Sequence, residues 1–148
     1  MIKKTQKSAK PKQIKEASSQ SDVPFGLHLM IDAYGCDPKV LDDPRKLYAF
    51  LDNVPSLLRM TKLSAPHLIH AQGNDGHDPG GWTGIVLIAE SHISLHTFVK
   101  RHFVTLDIYS CKYFNSDFII TYIQKFLKSE DMDIFEQKRG LRYPNKNL

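Results

Sequence analysis

Apolar positions along the chain change their spacing several times, and each change marks an element. From Gly26 to Asp32 the run Gly-Leu-His-Leu-Met-Ile-Asp reads as a first, largely buried strand, closed by the turn residues Tyr34-Gly35-Cys36-Asp37-Pro38. Asp43 followed by Pro44 is a helix start, and Leu47, Phe50, Leu51 and Val54 form a helical stripe expected to stop before Pro55. Residues 63–71 predict a second strand interrupted by Pro66, and Gln72 to Gly81 is a loop dense in Gly, Asn, Asp and Pro. The run Gly84-Ile-Val-Leu-Ile-Ala89 has the continuous apolar character of a central strand. Ile93 to Phe98 and Val104 to Tyr109 follow as strands on either side of a basic turn at Lys100-Arg101. Asn115-Ser116-Asp117 then offers helix caps before Phe118, Ile119, Tyr122, Ile123, Phe126 and Leu127, which recur with a period near 3.6. A last strand is expected at about residues 133–137. The predicted order is β-α-β-β-β-α-β, and with so few helices the fold class is a two-layer α/β sandwich (α+β) on a mainly antiparallel sheet.

Charge changes this picture only at the N-terminus. Lys3, Lys4, Lys7, Lys10, Lys12 and Lys15 stand against Glu16 and Asp22, which accounts for the whole net charge of +4 and leaves residues 23–148 balanced. Residues 1–22 are rich in Lys, Ser and Gln and poor in large apolar side chains, so a disordered basic tail is expected ahead of one domain over 23–148. A few lysines give non-specific attraction to anions, and no nucleic-acid function follows from them. No window approaches the ~20 apolar residues of a membrane span, and the tail lacks a secretory signal's apolar stretch, so no membrane role and a cytoplasmic location are expected. Two cysteines, Cys36 and Cys111, make no disulfide framework and are expected as free thiols.

Reactive side chains are densest in Glu90-Ser91-His92-Ile93-Ser94-Leu95-His96-Thr97. A serine hydrolase would place its nucleophile between glycines on a strand-to-helix turn, and Ala89-Glu90-Ser91-His92-Ile93 has neither feature. His92 and His96 share a strand face and could begin a metal site, yet a third and fourth ligand are not evident nearby, so no metal is assigned. Polar residues on the solvent face of a sheet remain the plainest alternative.

The run Glu-Ser-His-Ile-Ser-Leu-His-Thr-Phe resembles the processing-site motif of the small prokaryotic S-adenosylmethionine decarboxylases. The Gly26-x-His28 opening, the Asp32-Ala-Tyr34-Gly35-Cys36-Asp37 turn, Gly81-Trp-Thr83-Gly84, Asp107 with Cys111, and Lys138-Arg139-Gly140 fall in the same family order, over about residues 25–143. The resemblance implies a self-cleaving proenzyme cut between Glu90 and Ser91 into 1–90 and 91–148, with Ser91 becoming a covalent pyruvoyl group that binds the substrate's amine as a Schiff base. It further implies that His96 accepts a proton during processing, that Thr83 assists, and that Cys111 donates the proton that replaces carbon dioxide. Substrate contacts are matched to His77 and Phe98. Since Ser91 and His96 are five residues apart, a regular strand would set them on opposite faces, and a turn or bulge between them is expected. Cys36 is read as packing. The implied product is decarboxylated S-adenosylmethionine, the aminopropyl donor for spermidine synthesis, and the implied assembly is a homodimer. The family's usual Pro and acidic residue after the Thr-Phe pair are Val99 and Lys100 here, which keeps a pyruvoyl-dependent arginine or ornithine decarboxylase open, and a non-catalytic relative remains a further alternative.

Overall fold

The computed structural model describes residues 24–74 and 76–144; the basic tail expected over 1–22 lies outside them. The first strand, β1, runs Gly26–Tyr34, and a short helix α1, Pro38–Leu41, follows with the Asp37 carboxylate capping it. Helix α2 is Pro44–Leu57. Its cap Asp43 accepts hydrogen bonds from the backbone of Arg45 and Lys46, and these contacts hold the Asp43 carboxyl below its ordinary pKa. The helix continues through Pro55 instead of stopping before it. Pro55 is buried on the apolar stripe, and the chain bonds around it, Leu58 N–H to the Val54 carbonyl and Met60 N–H to the Pro55 carbonyl. Burial on the stripe outweighs the one helix bond the ring removes.

Strands β2 (His67–Gln72), β3 (Gly80–Ile88), β4 (Ser91–Phe98) and β5 (Phe103–Ser110) come next, with a single 3-10 turn, Val99–Arg101, between the last two. Helix α3 is Ser116–Leu127, capped by Asn115, and β6 is Asp131–Arg139. Four strands, not three, lie between the long helices. The run broken by Pro66 still forms β2, because pairing begins at His67, one residue past the proline, and β2 is an edge strand that bonds on one side alone.

The six strands form one sheet in the order β2-β3-β4-β5-β1-β6, and every neighbouring pair is antiparallel. Alternation along the strands sends Leu29, Ile31, Val86, Ile93, Leu95, Leu106 and Ile108 to one face, all essentially buried. Helices α2 and α3 cover that face with Leu47, Phe50, Leu51, Val54, Ile119, Ile123 and Leu127, and Phe50 stacks on Phe126 between them at 4.6 Å. Phe118, expected on this stripe, is exposed. The result is the two-layer α+β sandwich, helices on one side and the sheet on the other.

No helix among the described residues covers the opposite face. It carries His28, Ile69, Thr83, Ile85, Leu87, His92, His96, Phe98, Asp107, Tyr109 and Phe135, and several are well exposed: Ile69 67%, Leu87 45% and Phe135 51%. Also among the described residues, no helix is long and apolar enough to cross a membrane.

Candidate functional site

Ser91 opens β4 immediately after a two-residue turn, Ala89-Glu90, that joins it to β3 through the pair Ile88↔Ser91. Its φ is +152°, a backbone region that side chains with a Cβ rarely adopt. Such a conformation costs on the order of 1–3 kcal/mol and persists only where neighbours hold it. Here they do so from both sides. The backbone N–H of Cys111 donates to the Glu90 carbonyl at 3.0 Å. From the other flank, the Ala89 N–H donates to the Thr61 carbonyl at 2.8 Å while the Thr61 N–H donates to the Glu90 carboxylate at 3.1 Å. The 61–63 segment lies along the end of β3, with Lys62 bridged to Ile88 and the Leu63 N–H on the Leu87 carbonyl.

Cys111 is presented by a tight turn at the end of β5. Buried Ser110 accepts from the Lys112 N–H and donates to the Lys112 carbonyl, both at 2.9 Å, and the Lys112 ammonium bonds the Arg59 carbonyl at 2.6 Å. Ser110 is also the register partner of Ser91. The fold thus brings the Glu90–Ser91 bond and Cys111, twenty residues away in sequence, into direct backbone contact. Cys111 is exposed; Cys36 is fully buried, and burial pushes its thiol up to about 11. That matches packing for Cys36.

His96 is placed elsewhere. Strand β4 pairs without interruption on both sides, from Ile88↔Ser91 to Thr83↔His96 and from Ser91↔Ser110 to Phe98↔Phe103. The bulge expected between Ser91 and His96 is absent, because both neighbouring strands lock the register. At about 3.3 Å per residue, five positions of extended chain separate the two by roughly 16 Å. His96 instead meets Thr83, its Nδ1 3.1 Å from the threonine hydroxyl. Phe98 is near them, half-buried and stacked on Phe103 at 5.5 Å. His77 is exposed in the loop before β3, its N–H on the Asn74 side-chain oxygen at 3.0 Å. Lys100 is exposed in the turn beyond β4, at the end of the strand opposite Ser91.

The expected residues therefore fall into two groups at opposite ends of the β3–β4 hairpin. Glu90, Ser91 and Cys111 form one; Thr83, His96, Phe98 and the His77 loop form the other. Two features of the first group had no sequence signal: the Thr61 strap and the Cys111 N–H on the Glu90 carbonyl both depend on backbone pairing between distant segments. A third, His92, is adjacent to Ser91 in sequence. Its Nδ1 lies 3.1 Å from the Ser91 hydroxyl.

Residues 27–140 match the family model described as S-adenosylmethionine decarboxylase. The chain is 35% identical over 118 residues to "S-adenosylmethionine decarboxylase proenzyme 2" of Bacillus cereus, covering 79% of this chain and 90% of that protein. It is 34% identical over 119 residues to the S-adenosylmethionine decarboxylase proenzyme of Picrophilus torridus, covering 80% and 86%. The crystal structure of the adenosylmethionine decarboxylase from Aquifex aeolicus superposes with a TM-score of 0.69 at 29% identity, over 85% of this chain and 99% of that one.

Proposed function

This chain belongs to the S-adenosylmethionine decarboxylase family, and from that premise we propose that it cuts itself between Glu90 and Ser91 and then decarboxylates S-adenosylmethionine. The observation that carries the reading is the Glu90–Ser91 junction itself: a serine at φ +152°, whose preceding carbonyl is held by the Cys111 N–H, at the end of a clamped turn. Each part suits an N-to-O acyl shift. The Ser91 oxygen adds to the Glu90 carbonyl carbon, the carbonyl oxygen gains negative charge, and the Cys111 N–H at 3.0 Å is aimed at that oxygen. Collapse breaks the Glu90–Ser91 C–N bond and leaves an ester, with the Ser91 nitrogen as a free amine. Loss of the Ser91 Cα proton then expels the Glu90 carboxylate and ends the 1–90 chain. Water replaces nitrogen at residue 91, ammonia leaves, and a pyruvoyl group remains.

The residues present fit that group: Ser91 supplies its carbon skeleton and water its keto oxygen, and the exposed Cys111 thiol is tied by its own backbone to the same junction. When formed, the pyruvoyl group supplies a carbonyl that takes up the electron pair released by carbon dioxide. Cys111 returns a proton to the carbon that has lost its carboxylate.

His96 and Thr83 enter through a second copy of the chain. On the uncovered sheet face, the residues expected to process and bind are split between the two ends of one hairpin. Packing two such faces about a two-fold axis that runs across the strands sets one end of each hairpin against the other end of its partner, with residue i facing j and j facing i as in any isologous contact. His96, Thr83 and Phe98 of one protomer then serve Ser91 and Cys111 of the other. The exposed Ile69, Ile85, Leu87 and Phe135 supply the apolar surface such a homodimer buries. We place the enzyme in the cytoplasm, where its two thiols stay free, as a source of decarboxylated S-adenosylmethionine for spermidine synthesis.

The test is a decarboxylation assay with S-adenosylmethionine, arginine and ornithine, each labelled in the carboxyl carbon. Labelled carbon dioxide is expected from S-adenosylmethionine. Release from arginine or ornithine alone would contradict the assignment, and would turn attention to Val99 and Lys100 as the substitutions that changed the substrate.

A further inference from the structure

We infer that His92 is the catalytic base that takes the Ser91 hydroxyl proton in the first step of self-cleavage, and that this step is completed within one chain; the inference rests on the decarboxylase reading above. Within the chain His92 has its ring nitrogen Nδ1 3.1 Å from the Ser91 oxygen, whereas His96 is roughly 16 Å along an unbulged strand. With the ring proton on Nε2, the Ser91 hydroxyl donates to Nδ1, the arrangement a general base requires. Regular alternation would point Ser91 and His92 to opposite faces of the sheet. The φ of +152° at Ser91 breaks that alternation at the one position where the two side chains must meet.

The ring is seated as well as near. Tyr109, the register partner of His92 on β5, meets it edge-on with centroids 6.0 Å apart, and the Arg139 guanidinium lies 4.9 Å over the same Tyr109 ring. His28, the partner of Tyr109 on β1, closes the far side at 5.6 Å. It is fixed in turn by Asp107 at 2.9 Å and Arg139 at 3.3 Å. Three separated sequence features, Gly26-x-His28, Asp107 and Lys138-Arg139, thereby converge on the wall that holds His92, a position that nothing in the pyruvoyl chemistry described so far occupies.

The step balances within Ser91 and His92. The Oγ–H proton passes to Nδ1 as the oxygen–carbon bond to Glu90 forms; when the C–N bond breaks, Nδ1 returns the proton to the departing Ser91 nitrogen. His92 ends neutral and the peptide has become an ester and an amine. Removal of the Cα proton in the later elimination is a separate event, left to His96 of the second copy.

The experiment follows cleavage during in vitro translation of the full chain, resolving uncut from cut species over time. His92→Ala is expected to slow cleavage by roughly 100-fold or more, with added imidazole restoring part of the rate. His92→Asn keeps a hydrogen-bond acceptor near the Nδ1 position without a proton-accepting ring, and is expected to be equally slow; it also decides the matter where the alanine variant fails to fold. Co-expression gives a second readout. Ser91→Ala with His96→Ala restores one complete site in a mixed dimer, so cleavage returns, whereas Ser91→Ala with His92→Ala does not restore it, because Ser91 and its base must share a chain. Wild-type cleavage rates in His92→Asn, or rescue of His92→Ala by the Ser91→Ala chain, would overturn the inference while leaving the decarboxylase reading standing. An uncut wild-type chain would overturn both.

Discussion

At Ser91 the backbone occupies a region in which glycine is at ease and serine is strained, so stability and function there pull apart. In an ordinary strand alanine is the more stabilising of the two small residues. Here the order inverts: Ser91→Gly is expected to be more stable than Ser91→Ala by about 1 kcal/mol, since both remove the hydroxyl but glycine alone accepts the positive φ. Urea unfolding of the two uncut proteins checks this, and a more stable alanine variant would mean that the junction carries no strain. The cysteines separate at the same scale. Burial lifts the Cys36 thiol from its ordinary 9.0 to about 11, so it stays protonated well beyond neutral pH. Its contribution to stability is complete below pH 9 and is lost as pH climbs toward 11, because the unfolded chain ionises first. Iodoacetamide at pH 8 is expected to label folded protein on Cys111 and leave Cys36 unlabelled until denaturant is added, as read by peptide mass.

Among the elements, those with a strong period were legible and those fixed by distant pairing were not. The stripe on α3 and its cap Asn115 could be read directly, and the Asn115 side chain accepts from the Phe118 N–H at 3.0 Å. Asn115→Ala is expected to cost about 1 kcal/mol, a fall of about 2–4 °C in Tm, with the sheet intact. The loop composition predicts that Gly81 closes the loop, yet β3 starts one residue earlier, at Gly80. At φ +156° a Cβ on Gly81 would collide with the Thr97 carbonyl across the hairpin, which only the pairing of β3 with β4 reveals. Gly81→Ala therefore has to pry these strands apart at the end that carries Thr83 and His96, and is expected to lower both Tm and processing. Pro55 and Pro66 misled for a related reason. A proline breaks an isolated helix or strand, but burial at 55 and a place just ahead of the first paired residue of β2 at 66 make each tolerable. The 3-10 turn at Val99–Arg101 is where the basic turn was expected, with Lys100 exposed.

For the molecule as a whole, family resemblance singles out residues 91, 96 and 111 as a set, but it does not give their grouping in the fold. Spacing along one strand could only demand a bulge. The register shows no bulge and separates His96 from Ser91, a separation that the proposed homodimer would bridge. Leu87→Lys, a charge placed on the exposed face, is expected to convert dimer to monomer in light scattering, and to slow cleavage in proportion; a monomeric wild-type protein that is fully cut would refute the shared site. Underneath all of this lies the claim that the chain is severed before Ser91, and intact mass spectrometry of the purified protein beside Ser91→Ala tests it most directly. Two fragments are expected for the wild type, 1–90 and a second of residues 91–148 blocked by a pyruvoyl group, and a single chain for the variant. A correctly folded wild-type protein at the full mass of residues 1–148 would contradict it.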